Sequence, residues 1–194
     1  MSVTPSEAEE RYFAQQEAQR RKDKRRAMET AAHEMSERRA MKEALHTDDD
    51  AITAAIRDLG FDGDTARVFD VLPLVHVAWA DGSVSNRERA TIFEVLDQRG
   101  VAPDDEAGVL IASLLEERPS DAFLDETLAL LKAITSRAGL TPMNIVELCE
   151  SVAEASGGIL GLGNKISGDE RATIEKIADA LGAPAFDEFK RKLG

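Results

Sequence analysis

Residues 85–95 read SNRERATIFEV, and residues 167–177 read SGDERATIEKI, with serine, glutamate, arginine, alanine, threonine and isoleucine in register. The segments upstream echo each other too: VLPLVHVAWADG (71–82) and VELCESVAEASG (146–157) both carry alanines two apart ahead of a glycine. A chain that writes one helix start twice, each time behind an apolar stretch, is constrained to a duplicated architecture. Each unit has one apolar face, and the simplest cover for it is the equivalent face of the other. The repeat predicts two helix-turn-helix units of three helices each, joined by a helix over 121–138. The second copy carries a seven-residue insertion, contained in GILGLGNK, between its two matching segments.

The fold class follows from periodicity. Aromatic residues make up 5% of the chain, alternation of Val, Ile and Thr is nowhere sustained, and between Gly and Pro the apolar residues recur three and four apart. The expectation is all-α, a bundle of about seven helices behind a long N-terminal helical arm. The arm starts cleanly, with Thr4 as cap, Pro5 at the first helical position and Glu7 closing a capping box. It can run to about residue 45, but Tyr12, Phe13, Met28, Met35, Met41 and Leu45 are too sparse for a heptad seam, so the body or a second chain must order it. The organisation read from this is an arm over 1–47, a short packing helix or linker over 48–61, and a helical domain over 62–194. In TARVFDVLPLVHVAWA, apolar on most sides, Pro73 kinks the helix or sets its effective start. His76 and Trp79 in that segment read as satisfied core residues. Core faces are expected from Ile92, Val95 and Leu96; from Leu110, Ile111, Leu114 and Leu115; from Leu124, Leu128, Leu131 and Ile134; and from Ile174, Ile177 and Leu181.

Charge narrows the function. The net charge is −13; residues 1–46 carry ten Lys/Arg against nine Asp/Glu, and residues 47–194 carry fourteen against twenty-eight. An acidic body repels phosphate backbones, so nucleic-acid binding falls at most to Arg20–Arg26, RRKDKRR, which otherwise reads as a solvated helix face. No apolar run is long enough for a membrane span and the N-terminus is too charged for a secretory leader, so a cytoplasmic location is expected. Cys149 stands alone in an apolar run and reads as a small hydrophobe, while His33, His46 and His76 have no metal-pair spacing. GILGLGNK falls short of a phosphate-binding loop, because Lys165 is one residue late and no strand precedes it.

The turn DGSVSNRE supports two readings. In the first, Ser85 and Ser167 cap their helices and Glu88 and Glu170 reach back to the serine N–H groups; Gly82 supplies a positive φ, and Val84 and Ile166 drop towards the core. In the second, hard oxygen ligands hold a divalent cation, magnesium, calcium or manganese. Asp81 sits at a helix C-terminus, Glu88 one turn into the next helix, and Glu170, with Asp169 beside it, joins from the other copy. A calcium-sensing EF-hand is excluded, since its first two ligand positions would fall on Val77 and Trp79. Ser156 stands where the first copy has Asp81, so a symmetric four-carboxylate site cannot form.

HVAWADGSVSNRER, followed by VAEASGGILGLGNKISGDERATIEKIADALG, resembles the TerB-like superfamily, which includes tellurite-resistance TerB proteins and the N-terminal domain of the DnaJ-type co-chaperone DjlA. The resemblance covers roughly residues 62–194 through A-D-G-x-V-x-x-x-E. It implies an internally duplicated helical fold, bacterial stress response, and a cation site at Asp81, Glu88 and Glu170. No Ser-His-Asp or Cys-His arrangement assembles, so no catalytic or cofactor residues are assigned. The expectation is a non-enzymatic stress-response module that binds a divalent cation and acts through other proteins. The alternative is a metal-free interaction scaffold working through the arm and the Gly-rich loop 157–165, with homo-oligomerisation through the arm.

Overall fold

In the computed structural model, residues 7–138, 142–156 and 166–182 are described. Among them lie eight α-helices: α1 (Glu7–Ala44), α2 (Asp50–Asp58), α3 (Leu72–Ala78), α4 (Asn86–Gln98), α5 (Glu106–Glu116), α6 (Asp121–Ala138), α7 (Pro142–Ser156) and α8 (Gly168–Leu181). A 3-10 turn, Ala66–Val71, leads into α3, and no strand occurs among the described residues. The expected cap at Thr4 and the loop 157–165 lie outside the described residues.

The chain divides into two compact units, residues 1–39 and 40–194. In the first, α1 is a charged helix whose order comes from its own neighbours one turn apart. Arg21 pairs with Glu17 at 2.6 Å, Gln19 donates to Asp23 at 2.9 Å, and Arg25 lies 3.8 Å from Glu29. In the second unit, Met41 in the last turn of α1 and Leu45 just beyond it join the core, exposed by 2% and 4%.

The body is organised around α3. All seven of its residues are buried, and it packs against α4, α5, α6, α7, α8 and the 3-10 turn. Pro73 falls in its first turn, where a missing N–H costs nothing, so the proline starts the helix and the 3-10 turn forms what precedes it. The equivalent helices α3 and α7 pack on each other, α7 also packs on α4 and α8, and α6 lies against α2 and α8. Ile92 and Ile174, matched residues of the repeat, are both fully buried, as are Leu96, Ile177 and Cys149. Leu124, Leu128, Leu131 and Ile134 form the inner face of α6 as expected from their spacing.

Helix α5 turns its expected residues to the core to different depths. Ile111 and Leu115 are buried, but Leu110 and Leu114 are only partly so, and Ala107 and Gly108 complete the inner face. Gly108 stands where the backbone is close: a Cβ on it would lie 2.2 Å from the Ala102 carbonyl oxygen and 3.0 Å from the Pro103 Cα. Only glycine lets α5 approach the preceding loop this closely. Gly108→Ala should therefore destabilise the protein by about 1–3 kcal/mol, although alanine in a free helix would gain up to about 1 kcal/mol. Urea unfolding midpoints decide between the two signs.

Candidate functional site

Both turns of the repeat build the caps their sequence implies. Ser85 is the N-cap of α4: its Oγ accepts the Glu88 N–H at 3.2 Å, and Glu88 Oε2 accepts the Ser85 N–H at 2.7 Å. Ser167 does the same for α8, at 3.1 Å from the Glu170 N–H, with Glu170 Oε2 2.6 Å from the Ser167 N–H. Gly82 has φ +92°, which lets the chain reverse between α3 and α4. Val84 and Ile166 lie partly buried against the core.

What distinguishes these caps is depth. Capping glutamates ordinarily reach solvent, yet Glu88 and Glu170 are each only 1% exposed. Burial raises the Glu88 carboxyl above the usual carboxylate range; its hydrogen bonds to Ser85 oppose this, and the negative charges of Glu170 and Asp81 reinforce it. Two of the carboxylates that the sequence singles out, Asp81 and Glu170, thus act electrostatically on the third, Glu88. Asp81 itself is exposed and engaged locally, accepting from the Ser83 N–H at 2.9 Å and the Ser83 hydroxyl at 3.3 Å. Asp169 is exposed in the first turn of α8. The nearby Arg89 turns away to the Leu115 carbonyl, 3.0 Å distant. As the side chains stand, no three His, Cys, Asp or Glu among the described residues are grouped to hold a metal ion.

Trp79 and His76 part company. Trp79 donates its indole N–H to the Leu114 carbonyl at 2.8 Å and is satisfied. His76 is buried, and its Nε2 has no hydrogen-bond partner among the described residues, so the expectation of a satisfied core histidine fails at that nitrogen. Desolvation, assisted by Lys176, lowers its pKa to about 3, with Asp125 pulling the other way.

A cleft of about 320 Å³, floored by Leu45, Phe69, Leu131 and Ile134, is missed by sequence reasoning. Arg67 and Arg99 also line it, tied respectively to Asp105 at 2.8 Å and to Asp70. Its walls come from segments nearly ninety residues apart, beyond the reach of any local pattern.

Two titrations follow. His76 is neutral when folded and charges more readily when unfolded, so stability should hold above pH 6.5 and fall as the pH drops from there towards about 3; His76→Leu should flatten that limb in thermal melts taken across the range. Glu88 has the opposite sign. Its raised carboxyl costs the protein stability as pH rises through its folded value. Glu88→Gln keeps an acceptor for the Ser85 N–H, so without divalent cations it should melt higher than the parent at pH 7, with the difference shrinking towards pH 4.

A protein-family model described as tellurite resistance protein TerB matches residues 70–191. No curated protein and no solved structure gives a match. The matched region takes in both capped turns, the buried glutamates and the connecting helix α6. It spans well over half of the sequence, and the chain belongs to the TerB family.

Proposed function

We propose that this TerB-like module is a non-catalytic stress-response protein that binds a divalent cation between its two repeats and acts through protein partners. The observation that carries the reading is the pair of buried capping glutamates, Glu88 and Glu170, repelling across the repeat with Asp81 adding to the charge. Such an arrangement costs stability unless a cation offsets it. The donors are hard oxygens, suited to magnesium, calcium or manganese. Asp81 and Glu88 would hold the ion from the first repeat and Glu170 from the second, with Asp169 near the second turn. Both bonds from Ser83 fall on Asp81 Oδ1, so Oδ2 can ligate the ion with the turn intact. A cation there would link the two helix starts by charge and leave the serine caps in place. Ser156 in place of a second Asp81 makes the site lopsided.

The metal-free alternative, a scaffold working through the arm and loop 157–165, is favoured by a different observation. Tyr12, Phe13, Met28 and Met35, all on α1, are between 57% and 72% exposed.

Melting the protein in chelator and in excess magnesium, calcium or manganese separates the two. Saturation to about a hundred times Kd adds about 2.7 kcal/mol, or roughly 5–10 °C for a chain of this length. Asp81→Ala should reduce the shift and Glu88→Gln should remove it. An unchanged melting temperature with all three ions rejects the cation reading.

A further inference from the structure

The charges of α1 fall in blocks. Residues 7–17 hold four acidic residues and one basic, residues 20–26 hold six basic and one acidic, and residues 29–37 hold three acidic and no Lys or Arg. The net charges run −3, +5, −3. Within the first unit, a shallow surface groove is lined by Arg21, Lys24, Arg25, Met28, Glu29 and Ala32, residues three, four and seven apart along one helix face. Ala31 and Met35 continue that face at the same spacing, and Met28 and Met35 are 64% and 72% exposed. Counting apolar residues alone finds no seam in this helix. Counting the aliphatic stems of Arg21, Lys24 and Arg25 as apolar surface extends the face over four turns.

We propose that this face is a homodimer interface in which the arms of two copies pair antiparallel, centred on Met28. With Met28 facing Met28, Met35 of one copy sits against the Arg21 stem of the other, Ala32 against Lys24, Ala31 against Arg25, and Glu34 against Lys22. Each basic block then lies along an acidic block, twice over by symmetry. Parallel pairing in register sets the +5 block against itself, which is repulsive. An antiparallel register pairing 7–17 with the basic block matches charge but sets Met28 at the very end of the contact, opposite Glu7, and leaves Met35 outside it. The methionines and the charge pattern thus select the same arrangement, and the partner it fits is a second copy of this chain.

The experiment uses the full chain. Light scattering in low salt should give a dimer, and affinity should fall at least tenfold at about 1 M salt, where the screening length is about 3 Å. The triple variant Arg21→Glu, Lys24→Glu, Arg25→Glu should be monomeric, as should Glu29→Lys, Glu34→Lys, Glu37→Lys. An equimolar mixture of the two should recover the dimer, a result that a variant monomeric through misfolding could not give. Cys149 is fully buried, so an introduced cysteine reports register. Met28→Cys should form a covalent dimer on mild oxidation, while Met35→Cys should not, its two copies lying about 21 Å apart along the helices. A monomeric parent in low salt overturns the proposal, as does cross-linking by Met35→Cys equal to that by Met28→Cys. A monomer that binds duplex DNA also overturns it and assigns Arg20–Arg26 to nucleic acid.

Discussion

The body depends on the complete burial of α3. A seven-residue helix has no stability of its own, and this one forms because Leu72, Leu74, Val75, Val77 and Ala78 meet apolar side chains on every side. Its position dictates the others. The helices α4 and α5 of its own repeat close one flank, α7 and α8 of the second repeat close another, and α6 spans the remainder. The duplication is therefore a packing requirement as much as a trace of ancestry: one copy alone would leave α3 uncovered.

That arrangement explains the depth of the capping glutamates. The starts of α4 and α8 stay at the surface, with Ser85 and Ser167 exposed, while the capping carboxylates of Glu88 and Glu170 lie on the sides that the packed repeats cover. A helix cap is a local bargain between a serine and a backbone N–H, legible in four letters of sequence, and both copies form as S-x-x-E requires. How deep a cap sits is decided by residues far away. The sequence therefore showed which glutamates face their serines, while their burial became visible only in three dimensions.

The same division runs through the rest of the chain. Helical spacing marked Ile92, Ile174, Leu124 and Ile134 as core, and Gly82 as a reversal, because each depends on neighbours within a turn or two. It marked the leucines and isoleucine of α5 as core-facing and overlooked Gly108, whose closeness to Ala102 depends on a loop outside the helix. It offered two roles for Pro73, and the 3-10 turn before α3 selected one of them. The orphaned nitrogen of His76 has no sequence signature, since it depends on what α6 and α8 bring against α3.

Cys149 faces inward from α7, with no measurable exposure, and burial raises its thiol well above the ordinary range. Neither thiol reagents nor oxidants can meet it while α7 is in place, and the thiolate that would react is suppressed there as well. Since α7 is the helix against which α3, α4 and α8 all close, exposing this sulfur means parting the two repeats. The chain thus carries its own clock: the pace at which Cys149 becomes chemically visible is the pace at which the duplicated fold comes open.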